Sequence, residues 1–217
     1  MMVYTEAVLP TLAGAARVAA LQSAFDLAVA RINSAFDASL ITARVKLVRI
    51  LETHYDEDLS LVTKVQDEAL TALYRTADGK MDEIHAARDA AGADVVCLVL
   101  QRNDAVSSGL SFLLDDPADN TNPQYAFSVV QYGSATVGNV VAHELGHVLG
   151  CAHDRGNALS GDGAFSYSYG YRFYGADGRQ YRDLMAYPPG TELAYFSNPD
   201  VIVPAPVNAA IGVAAGK

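Results

Sequence analysis

Three of the chain's five histidines fall within HELGHVLGCAHD, residues 143–154. His143 and His147 are four residues apart. On a helix, four residues is slightly more than one turn, so both imidazoles project from the same face. Two ring nitrogens can then reach one metal ion ~2.0–2.1 Å away. Glu144 lies about 100° round the helix from His143. It is poorly placed as a third ligand and well placed to reach a water on the metal. His153 stands six beyond His147 and would point largely away if the helix continued. The chain must therefore turn between them. Gly150 is where it can, because glycine takes the left-handed conformation that ends a helix without a Cβ penalty. Gly146 sits inside the same helix, where glycine costs ~1 kcal/mol relative to alanine; close packing is its expected role.

Three neutral histidines leave zinc an open position for water, whose pKa the ion lowers to about 7. A carboxylate beside that water can take its proton and pass it to a leaving amine. The chemistry these residues can do is metal-assisted hydrolysis of an acyl bond. HExxH alone is short enough to arise by chance. HExxHxxGxxH is far more specific, since each added fixed position removes most chance matches. The plain alternative is three histidines filling or capping a core. A rival within enzymes takes a distant glutamate as third ligand, and Glu192 is the one glutamate downstream of Glu144.

Positioning these groups requires a core, and 217 residues can bury one of good size, so a single domain is expected. Residues 11–37 predict a helix whose face carries Val18, Leu21, Phe25, Val29, Ile32 and Phe36. ARVKLVRIL (43–51) predicts a strand. Helices are expected over 58–75 and 80–91, the second ending before Gly92. DVVCLVL (94–100) and AFSVVQ (126–131) are continuous apolar runs, as in strands buried on both faces. GLSFLL (109–114) is a weaker strand, and VGNVVAHELGHVLG a helix. Strands alternating with helices indicate an α/β sheet. The acidic loop DDPADNTNPQ (115–124) offers calcium ligands, but its spacing matches no calcium loop, and a solvated turn is the simpler reading.

Composition changes after residue 155, becoming rich in Gly, Ser and Tyr, with seven of twelve tyrosines beyond residue 160. Irregular structure is expected there, with a hairpin around Gly175 to Gly178. Those tyrosines either line a cleft or, more plainly, form the core of a small unit with little sheet.

A formal charge of −10 disfavours nucleic acid or an anionic membrane as partner. The longest uninterrupted apolar run, VVCLVL, is far short of the ~20 residues that span a bilayer. MMVYTEAVLP has no basic region and carries Glu6, so it does not read as a signal peptide. Cys97 and Cys151 are either bridged or two separate thiols; spacing alone does not decide.

With these residues in view, the sequence resembles the metzincin zinc metallopeptidases, whose pattern continues to a later Met-turn. Asp154 after His153 is typical of reprolysin-like (adamalysin-type) members. DLMAY (183–187) looks like the Met-turn. YFSNPDV (195–201), VYTEA (3–7) and SYSYGYR (166–172) are similar to segments of secreted bacterial members, among them the peptidyl-aspartate metalloendopeptidases. The resemblance implies a single catalytic domain over 1–217: a mixed twisted sheet with helices to about 151, then a small irregular C-terminal subdomain from about 152. It implies that His143, His147 and His153 bind zinc, that Glu144 is general base and acid, and that Met185 floors the site. Asp154 would be buried and hydrogen-bonded near the Met-turn, rather than a surface turn residue. Tyr187 is either a stabiliser of the tetrahedral intermediate, as in astacin-like and serralysin-like relatives, or a packing tyrosine. GLSFLL would pair with an extended peptide substrate.

The implied function is a zinc endopeptidase using a metal-activated water. It would be secreted and monomeric, with this chain a mature domain or a trimmed piece. A zinc-containing binding or adhesion module without turnover is the alternative, though a mere binder has no need of Glu144. Acid-directed cleavage, found in one similar group, would need a basic pocket; Arg172, Arg179 and Arg182 are available.

Overall fold

The computed structural model describes residues 1–57, 63–102, 107–119, 121–158 and 163–213. Its centre is a five-stranded mixed sheet in the order β2-β1-β3-β5-β4. The strands are β1 (Met2–Thr5), β2 (Ile50–Thr53), β3 (Val96–Leu100), β4 (Gly109–Ser111) and β5 (Phe127–Gln131). β1, β2, β3 and β5 run parallel, while β4 is an antiparallel edge strand on β5. Every residue of β3 and β5 is buried, which explains why both read as unbroken apolar runs.

Helices cover both faces, as parallel strands require. On one side lie α1 (Gly14–Ala38) and α5 (Val140–Val148), the latter preceded by the short α4 (Tyr132–Val137). Phe25, Ile32, Val99, Val130 and Leu145 share this core. On the other side lie α2 (Val65–Tyr74) and α3 (Glu83–Ala91), packing Leu73 and Ile84 against Leu98 and Phe127. α3 ends at Gly92 in the left-handed conformation, as expected. Residues 58–62 of the expected 58–75 helix lie outside the described residues.

Two expectations need correction. The buried face of α1 is Leu21, Phe25, Ala28, Ile32, Ala35 and Phe36, in steps of four and three, while Val18 is 55% exposed and Val29 only half-buried. Leu21, Phe25, Ile32 and Phe36 are buried as expected; Ala28 and Ala35 complete the face, and the two valines stand on its flank. The strand expected over 43–51 begins only at Ile50. Ahead of it, Asn33 Nδ2 donates to the Val45 carbonyl (3.0 Å) and Val45 N–H donates to Asn33 Oδ1 (2.9 Å). A side chain thus takes both backbone groups that a neighbouring strand would need.

After α5 the chain is more ordered than its composition suggests. β6 (Arg172–Tyr174) and β7 (Gln180–Arg182) form the expected hairpin, and β8 (Thr191–Glu192) adds in parallel. A second hairpin, β9 (Asn198–Val203) with β10 (Ala209–Ile211), was not anticipated. Phe173, Tyr181, Val201 and Ile211 close a small core between them, with Tyr171 and Tyr195 against it. Packing accounts for those tyrosines. Cys97 and Cys151 are free thiols; burial pushes both up to about 11, which keeps them protonated and unreactive. Among the described residues no helix is long and apolar enough to cross a membrane.

Candidate metal centre

α5 carries His143, Glu144 and His147. It stops in a Schellman turn: Gly150 N–H donates to His147 O and Cys151 N–H to Gly146 O, both at 2.8 Å. Gly150 has φ +94, a backbone that a Cβ would strain. Ala152 is then held by Ser168 and Gly170, whose backbones meet its N–H (2.8 Å) and carbonyl (3.0 Å). The reversal brings His153 back over the helix.

The three Nε2 atoms lie 3.1 Å (143–147), 3.2 Å (143–153) and 3.0 Å (147–153) apart. The Nδ1 of His143 is 2.6 Å from Leu184 O, and that of His147 is 2.7 Å from Cys151 O. A carbonyl only accepts, so these Nδ1 atoms carry the protons, and the Nε2 atoms of the neutral rings are bare acceptors. Lone pairs of His143 and His147 thus face each other with no donor between them. A shared cation resolves that repulsion. An ion ~2.0–2.1 Å from each nitrogen would see them about 100° apart, close to tetrahedral. Burial lowers all three imidazole pKa values, to about 3 for His147 and about 4 for His153, where repulsion between the rings adds. The rings are therefore neutral at pH 7, as metal ligation requires. The donor set fits zinc.

Glu144 is 4% exposed. Burial pushes its carboxyl up to about 8, while a hydrogen bond donated by Ser111 Oγ to Oε2 (2.7 Å) pulls the other way. Ser111 belongs to the edge strand β4, and the sequence reading did not single it out. A nearby cation would favour the charged carboxylate. Glu144, the histidines and Tyr187 share a cavity of about 200 Å³ with Ser111.

Met185 lies under the helix, 1% exposed. A Cβ on Gly146 would collide with its sulfur and with Phe196, so glycine permits this close approach. Asp183 Oδ1 accepts from the N–H groups of Met185 (3.0 Å) and Ala186 (2.9 Å), fixing the turn whose Leu184 carbonyl orients His143. Burial raises Asp183 to about 7. Its part was not anticipated, although DLMAY begins with it. Asp154 is 4% exposed and accepts from Arg172, Asn157 and the Tyr187 N–H, so it is no surface turn residue. Hydrogen bonds from Asn157 and Tyr187 and the Arg172 charge overcome its burial and hold the carboxyl below the usual range.

The Tyr187 ring lies 4.1 Å from that of His153, and the residue is 44% exposed. Glu192 stands apart from the histidine cluster, 2.8 Å from Arg182. Arg172 is taken by Asp154, and Arg179 is 78% exposed. In the acidic loop, the Asp116 and Asp119 carboxylates each accept a backbone N–H two residues on, as in solvated turns.

Metallo-peptidase family M12 matches residues 1–197. Peptidyl-Asp metalloendopeptidases of Stenotrophomonas maltophilia and Xanthomonas campestris pv. campestris are 32% and 34% identical to this chain over 184 residues, 83% of its length. The chain spans about two-fifths of the length of these relatives (41% and 40%). A chain from the structure of a chaperone-substrate complex matches the whole of this one with a TM-score of 0.67 at 17% identity, over 34% of its own length. That likeness concerns the fold alone.

Proposed function

The chain belongs to metallo-peptidase family M12, and on that basis we propose that it is a zinc-dependent endopeptidase acting on protein or peptide substrates. The observation that carries the reading is the convergence of three imidazole nitrogens, 3.0–3.2 Å apart, beside a buried carboxylate. His143, His147 and His153 hold the metal. When bound, zinc supplies Lewis acidity to the scissile carbonyl and makes water acidic near neutral pH. Glu144 takes a proton from the attacking water and gives it to the leaving amine nitrogen. Ser111 keeps that carboxylate aimed into the cavity. The Tyr187 hydroxyl stabilises the charge developing on the carbonyl oxygen.

The substrate lies extended along β4, the edge strand of the sheet, whose outer side pairs with no strand among the described residues. We read residues 1–217 as one catalytic domain. Its larger part runs to about 151, and the smaller part, from about 152, contains Met185 as the floor of a Met-turn. The relatives' name further suggests cleavage directed by acidic residues, and the family resemblance suggests a secreted, monomeric enzyme.

The test is digestion of a peptide library by the metal-loaded chain and by Glu144→Gln. Wild type should cleave, and the variant should retain zinc while losing roughly 10²–10⁴-fold in rate. Undiminished cleavage by the variant would sink the mechanism. Zinc binding without cleavage by either would favour a binding module.

A further inference from the structure

We propose that Arg182 is the residue that selects an acidic side chain flanking the scissile bond, and that Glu192 occupies its place until substrate arrives. The proposal rests on the endopeptidase reading above and names the substrate chemistry of that same site.

A second cavity, of about 400 Å³, adjoins the first and shares Gly109, His143, Glu144 and Tyr187 with it. A substrate residue next to the reacting carbonyl can therefore place its side chain here. Of the three arginines that the sequence offers for a basic pocket, only Arg182 lines this cavity. It is also the one arginine or lysine among the lining residues. Its side chain is 17% exposed, so its charge is only partly screened by water.

The hydrogen bonding of Arg182 is incomplete. Nη1 donates to Ala186 O (2.8 Å) and Nη2 contacts Glu192 Oε2 (2.8 Å), while Nε is buried with no partner among the described residues. Guanidinium binds carboxylates best through two parallel donors. Glu192 thus shows the ligand class that Arg182 takes, held by only one contact. It lies on the two-residue strand β8, is 32% exposed, and is steadied by Asn139 Nδ2 at 2.9 Å. It can turn toward solvent when a substrate carboxylate enters.

The surroundings favour an anion over a neutral side chain. Asn139 and Val140 of the lining are the N-cap and first residue of α5, a nine-residue helix with no side-chain cap among the described residues and no acid in its first turn. The positive end of that helix dipole opens beside Arg182. An aspartate would bring the charge that Arg182 and the helix start are arranged to meet. An asparagine of the same shape would leave Glu192 in place and gain neither.

The experiment compares kcat/KM for matched quenched-fluorescence peptides carrying Asp or Asn on either side of the scissile bond. In wild type the Asp:Asn ratio should exceed tenfold at one of the two positions. Arg182→Gln should lower it at least tenfold, and Arg182→Lys should keep part of it. Glu192→Gln should raise it severalfold, since a competing carboxylate is removed. A wild-type ratio near one, or a ratio unmoved by Arg182→Gln, overturns the proposal while leaving proteolysis standing. If Arg182→Gln does not fold, an unmoved ratio in Glu192→Gln is sufficient to overturn it. Failure of wild type to cleave any peptide instead removes the endopeptidase reading, and this proposal with it.

Discussion

Ser111 Oγ lies 2.7 Å from Glu144 Oε2, linking the edge strand of the sheet to a carboxylate on the helix that carries His143 and His147. The same strand that would pair with substrate also holds the proposed base. A hydroxyl donating to a carboxylate favours its charged form. Ser111→Ala should therefore raise the Glu144 pKa and move the ascending limb of the kcat/KM pH profile to higher pH. At neutral pH the rate should fall roughly 10–100-fold, the scale of one hydrogen bond to a charged group. An unshifted profile would show that Ser111 does not act on Glu144.

Zinc content separates the two candidate third ligands. His153 Nε2 is 3.0 Å from His147 Nε2, whereas Glu192 is engaged by Arg182 and Asn139. His153→Ala should lose metal by one or more orders of magnitude in affinity, measured by competition with a chromogenic chelator. Glu192→Ala should bind it as wild type does. The reverse result would reinstate the distant-glutamate site.

Asp183 makes stability depend on pH. Burial pushes its folded pKa up to about 7, from an ordinary carboxyl value near 4. A carboxyl raised on folding contributes stability that is complete below its unfolded pKa and is lost as pH rises through the folded one. The window is therefore about pH 4 to 7. Asp183→Asn keeps the acceptor for Met185 and Ala186 and removes the titration. Relative to the variant, wild type should lose of order 2–4 kcal/mol between pH 4 and 8. Parallel thermal-melt curves across that range would contradict this.

The parts of the site written in local spacing were legible in the sequence. His143, Glu144 and His147 follow from helix periodicity, and the turn at Gly150 from the need to bring His153 back. β3 and β5 were legible because a strand buried on both faces needs apolar residues throughout. Ser111 was not, because its partner is 33 residues away and a serine on a short edge strand carries no pattern. Asp183 was quoted in DLMAY, yet the burial that gives it a role comes from tertiary packing. The β9–β10 hairpin was hidden by three prolines, Pro199, Pro204 and Pro206, which fall within β9 and in the turn after it and break a strand-like run. Within the strand-like stretch 43–49, the Asn33 side chain takes the N–H and carbonyl of Val45, a long-range pairing that no local pattern shows.

Tyr187→Phe keeps the ring against His153 and removes only the hydroxyl. If that hydroxyl meets charge developing on the carbonyl oxygen, kcat should fall roughly 10–100-fold with KM little changed. A variant with wild-type kcat would leave the tyrosine a purely packing role, through the contact 4.1 Å from the His153 ring.

Gly146→Ala sets two effects against each other. Helix propensity favours alanine over glycine by ~1 kcal/mol. Against this, the new methyl would overlap the Met185 sulfur and press on Phe196, residues only 1% and 6% exposed. Overpacking a closed core costs about 1–3 kcal/mol, so the collision should win, and Tm should fall by roughly 2–6 °C for a chain of this size. The damage should also reach the metal. Met185 follows Leu184, whose carbonyl orients the His143 ring, so zinc affinity should weaken along with stability. Met185→Ala opens the space that the methyl needs. Adding it to Gly146→Ala should therefore cost less than the two single changes summed, by about 1 kcal/mol or more in a double-mutant cycle. Strict additivity would mean that residues 146 and 185 are not coupled, and that the glycine serves something other than the approach of the methionine.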